Sequence, residues 1–246
     1  MKRLKIILVL TYIVIIILLL LSLLRCQKSP TVPGPVVIKE KFNADVVMCI
    51  DCTSSMYHLI GTIKKNALNF YPDIKKKCES QGKEILSMRI RVIAFRDFCD
   101  SMPFETSDFF GMPEKENDFK TFVSNLKVYG GGDGPERAYD AISQALLSDW
   151  SSASDVRKVV ILWTDAPSHP LSRRNPEART FDEMSSLWKT KLQSDSKRLI
   201  LFAPSDPTWS VIENNWDKAV RHGVTSGGGL TDVDYNEILR ALSESI

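Results

Sequence analysis

Asp51-Cys52-Thr53-Ser54-Ser55 places a carboxylate and two hydroxyls at two-residue steps, directly after the apolar run Val46-Val47-Met48-Cys49-Ile50. Oxygens of this kind, leaving the end of a buried strand, are hard ligands that suit Mg2+ or Mn2+. A second apolar run, Val159 to Trp163, is followed at once by Thr164-Asp165. Between the two lies Gly130-Gly131-Gly132-Asp133-Gly134-Pro135-Glu136, a glycine-rich loop with two more carboxylates. In parallel α/β sheets the loops at the carboxyl ends of the strands form the ligand crevice, so three segments distant in sequence can converge on one metal site.

The elements that must position these loops are readable from periodicity. Met56, Leu59, Ile60, Ile63, Ala67, Phe70 and Ile74 recur at three- and four-residue steps, which predicts one amphipathic helix after the first strand. Its lysines (Lys64, Lys65, Lys75, Lys76, Lys77) read as a solvated face. A strand is expected at 88–95, then helices near 114–126 and 135–149. Beyond the strand ending at Trp163 come a helix near 176–194, a strand at 198–203, a helix near 209–221 and a closing helix from Asp234. Alternating strands and helices argue an α/β fold: a doubly wound, mostly parallel, Rossmann-like sheet with helices on both faces.

Together these segments resemble the von Willebrand factor type A family over roughly residues 43 to 246. That family's metal ion-dependent adhesion site uses Asp-x-Ser/Thr-x-Ser, a second-loop ligand that is usually Thr, and a third-loop Asp. Asp51, Thr53 and Ser55 match the first loop, and Asp165 within Trp163-Thr164-Asp165-Ala166-Pro167 matches the third. The second loop departs, because no Thr stands between Gly130 and Ala141; it resembles a Gly-Gly-Gly-Asp-x-Pro-Glu subgroup, with Asp133 or Glu136 in the ligand's place. The resemblance implies a divalent cation (Mg2+, Mn2+ or Ca2+), no catalysis, and a protein partner that supplies an acidic group to the metal.

An extra carboxylate cancels more of the ion's charge, which predicts tighter ion retention and a weaker demand for an acidic ligand. The same loop also reads as a helix start, since Asp133-x-x-Glu136 has capping-box spacing and Pro135 suits a first turn. Arg96-Asp97 is expected beside the ion loops, with a local salt bridge the plainer reading. His169, in Pro167-Ser168-His169-Pro170, either lines the site or holds its loop by a hydrogen bond. His58 reads as the first turn of a helix and His222 as the end of another.

Residues 6–24 carry no charge, and 19 residues at about 1.5 Å each nearly span a bilayer core of about 30 Å. No Ala-x-Ala-like cut site follows, so residues 1–28 read as an uncleaved membrane anchor rather than a signal sequence, with a lipoprotein anchored at Cys26 as the alternative. Lys2, Arg3 and Lys5 keep the N-terminus inside, which predicts a single-pass protein with its domain outside the cytoplasm. Three prolines in Ser29–Pro35 mark residues 29–42 as a linker to a domain at 43–246.

Charge argues against a nucleic-acid partner. Five of the 32 Lys and Arg lie in residues 1–28, which hold no acid, leaving 27 bases against 30 acids beyond them. The five cysteines form no disulfide framework, and Cys49-x-x-Cys52 reads as one core and one loop cysteine. An aspartyl phosphotransferase of the haloacid dehalogenase-like type also sets a nucleophilic Asp at a strand end near Mg2+. It normally has a second Asp two residues on, where this chain has Thr53. The remaining alternative is a metal-independent scaffold of a membrane complex, docking through a helix face.

Overall fold

The computed structural model describes residues 13–18, 40–132, 134–153, 155–171, 177–192, 197–224 and residues 236, 239, 240 and 243. The chain divides into two units, Met1–Ile38 and Lys39–Ile246. In the first, residues 13–18 are helical. Among the described residues no helix is long and apolar enough to cross a membrane; the rest of the expected anchor, Cys26 and most of the linker lie outside them.

Among the described residues the second unit is built on a seven-stranded sheet, in the order third, second, first, fifth, sixth and seventh strand, with the fourth also paired to the second. The strands are β1 (Glu40–Asp51), β2 (Lys83–Phe95), β3 (Phe104–Thr106), β4 (Phe110–Met112), β5 (Val156–Trp163), β6 (Lys197–Pro204) and β7 (Ala219–Val224). The pairs β1–β2, β1–β5, β5–β6 and β6–β7 are parallel, while β3 and β4 run antiparallel to β2. The helices are α1 (Ile60–Ser80), α2 (Glu116–Asn125), α3 (Ala138–Leu146), α4 (Phe181–Thr190) and α5 (Pro207–Asn215).

Because side chains alternate across a strand, the near-continuous apolar runs of the central strands fill two cores. Val46, Met48 and Ile50 of β1, with Val159 and Ile161 of β5, pack against Ile63, Phe70 and Ile74 of α1 and Phe119 of α2. Val47, Cys49, Val160 and Leu162 pack on the other side against Ile142 of α3, Trp188 of α4 and Trp209 of α5. A sheet buried on both faces explains the absence of apolar–polar alternation in these runs. It also separates Cys49 from Cys52, which belongs to the opposite core. Burial pushes both thiols up to about 12, so neither is a ready thiolate.

Two sequence expectations change, and two short strands carry no sequence signal. The helix expected to 221 ends at Asn215. Asp206 caps its start by accepting from Thr208 N at 2.8 Å, Pro207 suits the first turn, and Trp216 is already extended, its ring stacked on Trp188 at 5.2 Å. Lys218 then turns the chain at φ 62° into β7, so His222 lies on a strand, stacked on Phe202, rather than at a helix end. Trp209, Ile212 and Trp216 imitate a longer helix by their spacing. The helix after β1 is likewise two pieces, a 3-10 turn at Ser54–His58 and then α1, which puts His58 in the former. Finally, β3 and β4 are three residues each, too short to show a period.

Midway along β1, Asp45 sits buried opposite Arg89 of β2 and accepts from its Nε and Nη2 at 2.8 and 2.6 Å. Ser151 N adds a third hydrogen bond to this carboxylate at 2.8 Å.

Candidate metal centre

The strand order reverses beside β1: β2 lies on one side of it and β5 on the other. Ligands bind at such a switch point, beyond the carboxyl ends of the strands. Register sets the chemistry there. Ile50 pairs with Trp163, so Asp51 and Thr164 leave the sheet side by side, and Thr164 Oγ1 donates to Asp51 Oδ2 at 2.7 Å. Asp51 Oδ1 accepts from Thr53 N at 2.9 Å and from Thr53 Oγ1 at 2.7 Å. Ser55 Oγ donates to Asp165 Oδ1 at 2.9 Å, which closes the first loop onto the third. Thr53 Oγ1 and Ser55 Oγ are 3.1 Å apart. Either hydroxyl can donate across that contact, so the two oxygens are held together whichever proton is used.

The glycine loop is tied in by backbone. Tyr129 N donates to Cys52 O and Ser54 N to Gly130 O, each at 3.1 Å. Gly130 and Gly131 hold φ values of 77° and 76°, and a Cβ on Gly130 would fall 1.9 Å from Asp100 Oδ1. Both positions therefore require glycine. A Cβ on Gly131 would meet Glu136 Oε1 at 3.0 Å and Thr53 Cβ at 3.2 Å, which locates the Glu136 carboxylate beside the first loop. Glu136 is not a helix cap, contrary to the capping-box reading. It forms a parallel bridge with Ser168, donating from N to Pro167 O at 2.9 Å and accepting from His169 N at 2.8 Å. The helix α3 starts only at Ala138, with Ser168 Oγ accepting from Tyr139 N at 2.8 Å. Asp133, the other second-loop candidate, lies outside the described residues.

Electrostatically the site is short of positive charge. Asp51, Glu136 and Asp165 are all buried, and among the described residues none of them lies within ion-pair distance of a Lys, Arg or His. Burial pushes Asp51 up to about 6 against the hydrogen bonds from Thr164 and Thr53. Glu136 is pushed up to about 9, first by burial and then by the charges of Asp51, Asp97 and Asp100, and its Oε2 is buried without a hydrogen bond. Arg96 does not pair with Asp97. Its guanidinium donates to the carbonyls of Met102 and Lys127, meets Glu105 at 3.4 Å and covers the Tyr129 ring. Asp97 Oδ1 lies 3.3 Å from His169 Nε2, which sets the imidazole between the third loop and the loop after β2, while the His169 backbone N–H holds the third loop to Glu136 O of the second.

Among the described residues no three carboxylate, imidazole or thiolate groups close into a ready cage. The converging set is mixed: the hydroxyls of Thr53 and Ser55, the carboxylates of Asp51 and Asp165, and the unsatisfied oxygen of Glu136. Hard oxygens with uncompensated buried negative charge fit Mg2+ or Mn2+. Sequence reading missed Thr164 as a partner of Asp51, although its place at a strand end next to the switch point was a signal. It also missed Asp100, whose Oδ2 accepts from Asp97 N and Gly131 N and for which no local signal exists.

A sequence model of the von Willebrand factor A domain matches residues 45–176, which contain all three loops. The chain belongs to that family. The von Willebrand factor A domain is typically a module for protein–protein interaction or adhesion. Among curated proteins the chain is similar to the alpha-protein kinase vwkA of Dictyostelium discoideum, 28% identical over 131 residues, and to a putative ariadne-like RING finger protein of Acanthamoeba polyphaga mimivirus, 29% identical over 128 residues. Each match takes in 51% of this chain, which covers only 19% and 11% of those relatives. Among solved structures it resembles the pilus adhesin SpaC of Lactobacillus rhamnosus GG, at TM-score 0.52 and 12% identity, over 83% of this chain and 31% of that one. Proximal thread matrix protein 1 from the mussel byssus gives TM-score 0.52 and 15% identity, over 84% and 47%. At such identities the structural likeness shows the fold.

Proposed function

We propose that this von Willebrand factor A domain is a cation-dependent protein-binding module tethered to a membrane by the apolar segment at residues 6–24. The observation that carries the reading is the cluster of buried carboxylates, Asp51, Glu136 and Asp165, without a basic partner beside two hydroxyls. Thr53 and Ser55 would hold a divalent ion through their hydroxyl oxygens, with Asp51, Asp165 and Glu136 direct or water-mediated. Bound there, Mg2+ or Mn2+ supplies an electrophilic point for an oxygen of the partner, which the family's usual site draws from an acidic side chain. The chain's own contribution is rigidity: the Asp51–Thr164 bond, the Glu136–Ser168 bridge and the glycine turns fix the oxygens before a partner arrives.

Catalysis at Asp51 is disfavoured by its surroundings. Both carboxylate oxygens already accept hydrogen bonds, the residue is fully buried, and Thr53 stands where an acid/base carboxylate is needed. Partner capture on the full chain with Mg2+ and with a chelator tests the proposal. Partner binding that is lost on chelation and in Asp51→Asn supports it; binding that survives both supports a scaffold that docks through a helix face.

A further inference from the structure

Bases gather at the end of the domain away from the metal loops, where the parallel strands begin. The strands β2, β5, β6 and β7 start there at Lys83, Val156, Lys197 and Ala219, and α1 finishes beside them with Lys75, Lys76 and Lys77 in its last turns. On the other face of the sheet, α4 runs out into Lys189 and Lys191, and Lys191 lines one crevice with Lys158 of β5. Several bases of this end are paired: Lys41 with Glu84, Arg157 with Glu40 and Lys197 with Asp217. Among the described residues no carboxylate lies within ion-pair distance of Lys75, Lys76, Lys77, Lys158, Lys189 or Lys191. Beside the α1 lysines is a crevice of about 310 Å³ lined by Asp73, Lys76, Lys77, Ser80, Asn236 and Leu239. Lys83 Nζ donates to Ser243 O at 2.7 Å, which holds the C-terminal residues against this end.

We propose that this end docks on the anionic lipid headgroups of a bilayer, with a headgroup phosphate held in the α1 crevice by Lys76, Lys77 and Ser80. The inference rests on the membrane-tether reading above. A tether at residues 6–24 leads into the domain at this same end, because Glu40 opens β1, so bilayer surface is always available to these lysines. Each lysine brought to an anionic surface strengthens attachment by a factor of about five. Asp73 offsets only one of the two lysines in the crevice. A helix C-terminus favours a cation in its last turn, which accounts for Lys77 but not for Lys158 and Lys191 on the opposite face of the sheet. A plane of negative charge meets the bases of both faces at once. Docking in this way leaves the metal loops at the far end, turned toward a partner.

The test places the full chain in lipid nanodiscs of phosphatidylcholine alone and of phosphatidylcholine with about a third phosphatidylglycerol. Lysine acetylation by an uncharged N-hydroxysuccinimide ester is then followed residue by residue with mass spectrometry. Lys75, Lys76 and Lys77 are expected to react about fivefold more slowly in the anionic discs. Lys127, exposed at the metal end, should react at the same rate in both. Lys76→Gln combined with Lys77→Gln should return Lys75 to its rate in neutral discs, whereas Lys127→Gln should leave the protection in place. Equal rates in the two discs, equal slowing of Lys127, or the same protection by free glycerol phosphate in neutral discs overturns the proposal. Co-elution of the chain with the discs separates the two readings. A chain carried by both discs with equal rates removes only the docking, and a chain carried by neither removes the tether as well.

Discussion

Two buried aspartates on one strand, Asp45 and Asp51, are solved in opposite ways. Six residues apart, or about 20 Å along β1, both are almost fully shielded from water. Asp45 has its own cation: Arg89 grips both of its oxygens, and Ser151 N completes the set. Asp51 has only hydroxyls and an amide, and the nearby charges are other carboxylates, Glu136 and Asp165 among them. A buried charge without a protein counter-charge is costly. The fold tolerates it where Asp51 is and avoids it where Asp45 is, and the proposed cation site rests on that contrast.

Substitutions can break this contrast from either side. The largest loss of stability is expected from Asp45→Ala, which strands Arg89 and frees Ser151 N, at about 3 kcal/mol. Urea unfolding should show it with Mg2+ affinity unchanged, and a fall in affinity would mean that the middle and the end of β1 are coupled. Asp51→Asn should do the reverse. Mg2+ affinity is expected to fall on the order of a hundredfold, about 2.7 kcal/mol, with unfolding in chelator unchanged or slightly later. Glu136→Gln replaces a buried carboxyl that folding must keep protonated when no ion is bound, so about a tenfold loss of Mg2+ affinity should accompany a gain of about 1 kcal/mol in chelator at neutral pH. A loss of stability there would show that the carboxylate is already compensated. The smallest effect is expected at an exposed position: Tyr57→Ala should change the unfolding free energy in urea by less than about 0.5 kcal/mol, and a larger loss would mean that the ring packs on the fold.

The two halves of the contrast differ in how far the sequence reveals them. Asp51 and Asp165 stand out because they lie at the ends of apolar runs, with Thr53 and Ser55 at two-residue steps behind Asp51, and the strand end fixes where such side chains emerge. The parallel two-faced sheet is readable for the same reason, since its central strands are apolar on both faces. Asp45 and Arg89 stay hidden because their pairing depends on the register between β1 and β2, and a carboxylate inside a strand gives no sign of what lies opposite. Glu136 is intermediate. Its loop stands out by its glycines, but the bridge to Ser168 that turns it from a helix start into a wall of the site belongs to the tertiary structure. Spacing misled at β7, where Trp209, Ile212 and Trp216 continue a helical rhythm past Asn215 although the chain has already turned into a strand.

The most direct test of the central claim is a calorimetric titration of Mg2+ into the full chain and into Asp51→Asn. Saturable binding in the parent that disappears in the variant is the predicted result. Binding of equal affinity in both, or none in the parent, would contradict the assignment of Asp51, Thr53, Ser55, Glu136 and Asp165 as a cation site.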